Sequence, residues 1–127
     1  MRILIVDDHA MIRRGVRQLL SSSPPWTVCG EASSGEGAMA QAKELRPDLI
    51  LLDISMPDSN GLEVAATLRR EIPAIKIIIM SQHEKAQLLS RALEAGADGC
   101  VDKDSLSTDL VTTIHSVVGK TGFSSEP

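Results

Sequence analysis

Short unbroken aliphatic runs alternate along this chain with segments whose apolar residues recur every three or four positions. Arg2-Ile3-Leu4-Ile5-Val6 is a strand pattern, and residues 9–20 then place Ile12, Val16, Leu19 and Leu20 on one helical face. Ser21-Ser22-Ser23-Pro24-Pro25 breaks that helix. Residues 26–32 form a second strand, weakened by Gly30 and Glu31, and an Ala-rich helix over 35–45 is closed off by Pro47. Residues 49–52 are a third strand, followed by a helix over 61–71 with Leu62, Ala65, Leu68 and Ile72 in one stripe. A fourth strand over 75–80 leads to a helix over 84–94 carrying Leu89, Ala92 and Leu93. Gly96-Ala97-Asp98-Gly99 turns the chain into a short fifth strand, Cys100-Val101. The last helix, residues 105–118, carries Leu110, Ile114, Val117 and Val118 at i, i+4, i+7 and i+8.

Five strands, each followed by a helix, predict an α/β domain with a parallel sheet and helices on both faces. Continuous Ile/Leu/Val strands fit a sheet buried on both sides, where alternation is not required. The predicted domain spans 1–118. Residues 119–127, GKTGFSSEP, are small and polar and read as a frayed tail or the start of a linker.

Composition narrows the function. Apolar residues make up 43% of the 127, with one Phe, one Trp and no Tyr, so the core is aliphatic and base stacking on exposed aromatics is excluded. A net charge of −4 argues against direct nucleic-acid binding by this segment, which needs a basic face. No apolar run reaches the roughly 18 residues that span a bilayer. MRILIVDDH has no signal-peptide pattern, because its apolar stretch ends in two acids. Cys29 and Cys100 have neither CxxC nor zinc-ligand spacing and read as packing residues of a reduced, cytoplasmic protein.

In open α/β sheets the chemistry sits beyond the carboxyl ends of the strands. The first strand ends in Asp7-Asp8, the third in Asp53, the fourth in Ser81, and the fifth in Lys103 just past Asp102. Carboxylates gathered on one rim repel one another unless a proton or cation intervenes. Their hard oxygens suit Mg2+, which takes only one or two carboxylates from a protein. With a phosphoryl group in that site, Asp53 could act as nucleophile, Lys103 as a point cation and Ser81 as a hydrogen-bond donor. Singly, each residue has a plainer reading. Asp53 could cap a loop, Asp7-Asp8 a helix, Ser81 the next helix, and Lys103 could pair with surface acids. Convergence on one rim favours the joint reading. His9 and His83 flank the rim, where such loop histidines are ordinarily solvated. Arg13, Arg14 and Arg17 read as the solvated face of the first helix.

VDDH, LLDISMPDSNG, the MS after the fourth strand and GADGCVDKD together resemble a bacterial two-component response-regulator receiver domain. The resemblance covers residues 2–118. GEASSGEGA and RALEAGADG are similar to the subgroup joined to a LuxR-type helix-turn-helix domain. It implies the flavodoxin-like (CheY-like) doubly wound fold, five strands in order 2-1-3-4-5 with five helices. It implies a phosphorylation-controlled switch, not a turnover enzyme, in which Asp53 accepts a phosphoryl group from a sensor histidine kinase. Asp8, Asp53 and the Ser55 backbone carbonyl would hold Mg2+, with Asp7 acting through water. Ser81 matches the switch hydroxyl, Lys103 the site lysine, and Ser55 and His83 the positions that tune hydrolysis. The switch position that is usually aromatic is here Cys100, so a ring rotation is unavailable. Arg13, Arg14 and Arg17 lie where the family meets its kinase. A homodimer is implied through the first and fifth helices or through the face of the fourth helix, fifth strand and fifth helix.

Two other readings compete. A pseudo-receiver would bind partners without taking phosphate, which the intact Asp7, Asp8, Asp53, Ser81 and Lys103 disfavour. A haloacid-dehalogenase-like phosphatase would use the same aspartyl nucleophile but wants an acid two residues later, where this chain has Ser55. Neither GxGxxG nor GxxxxGK[ST] occurs, which disfavours a nucleotide-binding protein.

Overall fold

The computed structural model describes residues 1–22, 26–57, 59–82 and 85–119, with the side chains of 85–89 outside the description. The strands are β1 (Arg2–Val6), β2 (Thr27–Ala32), β3 (Leu49–Asp53), β4 (Lys76–Ser81) and β5 (Gly99–Asp102). The helices are α1 (Ala10–Ser21), α2 (Gly35–Leu45), α3 (Gly61–Glu71), α4 (Lys85–Glu94) and α5 (Leu106–Gly119). All four strand pairs are parallel, and the order across the sheet is β2-β1-β3-β4-β5. This is the expected CheY-like fold.

The unbroken aliphatic strands feed two cores in alternation, because successive side chains point to opposite faces. Leu4, Val6, Ile50, Leu52, Ile77 and Ile79 face one core, with Ala38 and Ala42 of α2, Ala65 and Leu68 of α3, and Ala92 of α4. Ile3, Ile5, Leu49, Leu51, Ile78 and Met80 face the other, with Val16 and Leu20 of α1 and Leu110, Ile114 and Val117 of α5. Every residue of the central strand β3 is buried, Asp53 included. The polar residue at its end is thus held by the same rail as the apolar ones.

Element boundaries moved by a residue or so at several ends, where capping decides them. Trp26 lies just before β2, and the α1 N-cap is His9, with no side-chain cap hydrogen bond. β4 begins at Lys76 and includes Ser81. α5 begins at Leu106, after a one-turn 3-10 helix, Lys103–Ser105, whose N-cap Asp102 accepts from the Asp104 amide. The expected start of α4 at Glu84 lies outside the described residues. Gly30 weakens β2 as anticipated. The β1–β2 register slips there, Ile3 pairing with Val28 and Leu4 with Gly30, so Cys29 is the extra residue of a bulge.

Two loops place the site. Ser34 caps α2 by accepting from the Gly37 amide at 2.9 Å, and Asn60 caps α3 by accepting from the Leu62 amide at 2.9 Å. Gly61, first residue of α3, passes so close to the β3 loop that a Cβ would sit 2.5 Å from Ile54 Cα. That approach folds the loop after Asp53 back over the strand end.

Candidate functional site

β1 and β3 are adjacent and in register, Val6 opposite Leu52, so their next residues, Asp7 and Asp53, emerge side by side. Both are fully buried. The 3-10 turn after β5 sends Lys103 back across the rim, its Nζ 2.8 Å from Asp7 Oδ2 and 3.1 Å from Asp53 Oδ1. The Lys103 side chain is only 7% exposed, and the plainer reading of it as a surface ion pair with neighbouring acids does not hold. One cation thus serves two buried carboxylates.

Each carboxylate is further fixed. Asp7 Oδ1 accepts from the His9 amide at 2.8 Å, and Asp53 Oδ1 accepts from the Ser55 amide at 3.0 Å. These are Asx turns, the short polar side chain bonding its own chain two residues on. Among the described residues, the buried Asp53 Oδ2 has no hydrogen-bonding partner, and neither has Asp8 Oδ1, which meets the His9 ring. Asp7 Oδ2 makes no oriented hydrogen bond either, but its ion pair with Lys103 answers the charge.

Burial is the main force raising Asp53 above the usual carboxylate range, and the Asp7 charge adds to it. The Ser55 amide and Lys103 pull the other way without prevailing, because Asp53 has only a share of the cation. Burial likewise works to lower Lys103, yet the two carboxylates outweigh it and raise the ammonium. The asymmetry between the partners follows from this sharing: the lysine has two acids, each acid half a lysine.

His9 is more than a solvated loop residue. Its ring is largely exposed, but Nδ1 lies 3.2 Å from both Asp7 Oδ1 and Asp8 Oδ1. Asp7, Asp8, His9 and Asp53 each offer a ligand atom, and these atoms lie within 4.8 Å of one another. The adjacency Asp7-Asp8-His9 was the available signal in the sequence. Asp53 Oδ2 and Asp8 Oδ1, buried and without hydrogen-bonding partners among the described residues, are hard donors of the type Mg2+ takes.

Ser81 and Cys100 form a separate pair. Ser81 ends β4, is buried, and its Oγ lies 4.0 Å from Cys100 Sγ on β5. No hydrogen bond joins Ser81 to the acid cluster among the described residues. Cys100 packs in the core shared with α2, α3 and α4, and Cys29 lies partly buried against that core; neither forms a disulfide among the described residues. Ser55 is exposed and touches the site through its amide. His83 lies outside the described residues.

Arg14 of α1 is exposed, as a solvated face requires, but Arg13 and Arg17 on the same helix also pair with β2. Arg13 Nε and Arg17 Nη2 reach Glu31 of β2 at 2.8 and 2.5 Å. Arg13 Nη1 also donates to the Asp7 carbonyl at 2.6 Å, bracing the loop that carries the acid pair. The Arg17 hydrogen bond is the largest influence on Glu31, and with Arg13 it holds that carboxyl below its ordinary range against partial burial. Pairing across elements depends on β1–β2 register, which periodicity along one helix cannot display.

The family described as response regulator receiver domain matches residues 3–115. The chain is 45% identical over 113 residues to the nitrate/nitrite response regulator protein NarL of Escherichia coli, covering 89% of this chain and 52% of that protein. It is 36% identical over 114 residues to the response regulator protein VraR of Staphylococcus aureus, covering 90% and 54%. The chain therefore spans about half the length of the curated relatives it matches. Among solved structures, a LuxR-family two-component response regulator from Aurantimonas aligns with TM-score 0.86 and 34% identity, covering 93% of this chain and 85% of that one. The signal receiver domain of the putative response regulator NarL from Mycobacterium tuberculosis aligns with TM-score 0.83 and 36% identity, covering 91% and 93%. Response regulators are phosphorylated by histidine kinases, and receiver domains bind Mg2+ at an acidic pocket and are generally not turnover enzymes. No helix among the described residues is long and apolar enough to cross a membrane. With the fold and all three comparisons in agreement, the chain belongs to the response-regulator receiver domains of two-component systems.

Proposed function

We propose that this receiver is a working phosphorylation switch whose acceptor is Asp53. The observation that carries the reading is a fully buried carboxylate with one partnerless oxygen, beside a buried lysine. In the transfer, an Asp53 oxygen attacks phosphorus and the P–N bond of a kinase phosphohistidine breaks, leaving the imidazole with the electron pair. Asp8 and Asp53 would hold Mg2+, with the Ser55 carbonyl as a further ligand; Asp7, committed to Lys103 and the His9 amide, would act through water. When bound, the ion supplies charge neutralisation at the phosphoryl oxygens. Lys103 shifts from the paired carboxylates toward the arriving charge. The Ser55 amide holds Asp53 in place, and substitutions at Ser55 and His83 alter the decay of the phosphoprotein.

Signal exit goes through Ser81 and Cys100. Ser81 leaves its contact with Cys100 to donate to the phosphoryl group, and the thiol is too small to follow as an inward-swinging ring. The loop from Ser81 and α4 then carry the rearrangement. Residues 119–127 begin a linker to a DNA-binding output domain of the LuxR type, a reading supported by the LuxR-family relative. Homodimerisation belongs to the same reading.

The test is incubation with acetyl phosphate and Mg2+, followed by intact mass and peptide mapping. A stable adduct on Asp53, lost in Asp53→Asn and on chelation, is expected. No adduct under those conditions makes the chain a pseudo-receiver, and rapid multiple turnover of a phosphate ester makes it a phosphatase.

A further inference from the structure

His9 stands at the mouth of the acid cluster with a side chain that helix capping does not explain. It is the N-cap of α1, a position that favours Ser, Thr, Asp or Asn, yet its side chain makes no cap hydrogen bond. Its backbone is nonetheless firmly held. The amide donates to Asp7 Oδ1 at 2.8 Å, and the carbonyl accepts from the Ile12 and Arg13 amides at 3.1 and 3.2 Å. The imidazole is therefore a largely exposed ring on a fixed stem.

The ring turns its Nδ1 toward the acids, 3.2 Å from Asp7 Oδ1 and 3.2 Å from Asp8 Oδ1. The two contacts differ. That to Asp7 has hydrogen-bond geometry, whereas Asp8 Oδ1 has no hydrogen-bonding partner among the described residues. A nitrogen and a carboxylate oxygen that meet without an aligned proton between them are placed as neighbouring ligands of one ion are placed. Around a tetrahedral ion with bonds of about 2.0–2.1 Å, adjacent donors lie about 3.3 Å apart. The fully buried Asp53 adds Oδ2, which also has no hydrogen-bonding partner among the described residues. One ligand atom from each of Asp8, His9 and Asp53 lies within 4.8 Å of the others. Asp7, by contrast, is committed to Lys103 and the His9 amide.

An imidazole beside two carboxylates exceeds what Mg2+ asks for. Mg2+ takes oxygen ligands and keeps several waters, whereas imidazole nitrogen suits Zn2+. We propose that His9 Nδ1 is a ligand of this site, and that through Asp8, His9 and Asp53 the receiver binds Zn2+ in competition with Mg2+. The inference rests on the reading of Asp8 and Asp53 as cation ligands and adds to it a nitrogen donor and a preference. Mg2+ uses the carboxylates and leaves the ring aside, while a nitrogen-seeking ion recruits it with the ring proton on Nε2. Phosphorylation at Asp53 then depends on which cation fills the site.

The test compares the full chain with His9→Gln, which keeps a polar side chain of similar reach but offers an amide oxygen for the nitrogen. Calorimetric titration at neutral pH should show Zn2+ binding weakened about ten-fold or more in the variant, with Mg2+ affinity nearly unchanged. Saturating Mg2+ should weaken apparent Zn2+ binding to the wild type. Ring-nitrogen spectra give a second readout, because the chain has only three histidines and His115 is set apart, packed on Trp26 at 5.0 Å between ring centroids. With Zn2+, the Nδ1 resonance that is missing from His9→Gln should take the shift of a coordinated nitrogen, and the His115 resonances should stay in place. Equal Zn2+ affinity in the two proteins, or an unshifted His9 Nδ1 in the Zn2+-bound form, overturns the proposal. Zn2+ binding that Mg2+ does not oppose puts the ion elsewhere and overturns it too. Normal Mg2+ binding in those cases leaves the carboxylate reading standing, whereas failure of the wild type to bind either cation removes both.

Discussion

The two ends of the sheet are built from the same five strands, yet they differ in almost every physical respect. At the carboxyl ends, Asp7 and Asp53 are buried, the Lys103 side chain is nearly so, and three carboxylate oxygens lack hydrogen bonds among the described residues. At the amino ends the backbone is paired, and Met1, Trp26, Pro47 and Ile75 line a groove with charges only beside them. A parallel sheet makes this polarity natural, since every strand points its last residue at the same rim. The carboxyl rim holds electrostatic strain and the amino rim exposes apolar surface. The first is suited to chemistry and the second to packing.

Removing the shared cation should break the charged rim most severely. Lys103→Met leaves Asp7 and Asp53 buried without their counter-charge, a situation that costs about 3 kcal/mol or more. Urea denaturation at neutral pH should report that loss. The loss should shrink in acid, where the carboxylates take up protons instead. Native Trp26 emission should not change, because the amino rim does not feel the substitution.

Gly61→Ala attacks the same rim through its backbone. The new Cβ would lie 2.5 Å from Ile54 Cα and 3.0 Å from the Asp53 carbonyl, where no flexible side chain can give way. Overpacking of this kind costs about 2 kcal/mol. Since the displaced loop carries the Ser55 amide, acetyl phosphate labelling of Asp53 should also slow. Unchanged labelling at lowered stability would separate the loop's packing from its positioning of the acid.

Much of this rim was legible in the sequence. A strand that stops at Asp53 and another that stops at Asp7 must bring both acids to one edge once the sheet is parallel, and Pro57 and Asn60-Gly61 mark the loop. The direction of Ser81 was not legible: its hydroxyl meets Cys100 and not the acids, a matter of side-chain rotation at the strand end. The pairing of Arg13 and Arg17 with Glu31 was not legible either, because it joins a helix to a residue of β2, beyond the bulge in the β1–β2 pair. The amino-rim groove was hidden for a similar reason. Met1, Trp26, Ile72 and Val118 belong to four segments, and none departs from the ordinary pattern of its own.

Asp53→Asn should have the opposite sign to Lys103→Met. Burial raises the native Asp53 pKa, so folding is favoured while this group is protonated, below the ordinary carboxylate range. That advantage is lost as pH rises through the raised native value, leaving the ionised carboxylate a liability at neutrality. Asparagine keeps the acceptor for the Ser55 amide without the charge. A gain of about 1 kcal/mol in chelator at neutral pH is expected, vanishing in acid. Adding Mg2+ should raise the melting temperature of the wild type more than that of the variant.

Glu31→Gln is the gentlest probe and tests how far the rim extends. Arg17 and Arg13 lower the native Glu31 pKa, so its stabilising effect is present above the ordinary carboxylate range and is lost as pH falls through the lowered native value. Because the pair is partly exposed, the loss at neutral pH should be only about 0.5 kcal/mol. Salt should reduce it, and below the native Glu31 pKa the two proteins should unfold alike. The informative quantity is Mg2+ affinity. Arg13 spans Glu31 and the Asp7 carbonyl, so loosening its anchor should weaken Mg2+ binding slightly if the charged rim includes α1 and β2. Equal Mg2+ affinity in the two proteins would confine the rim to β1, β3 and the Lys103 turn.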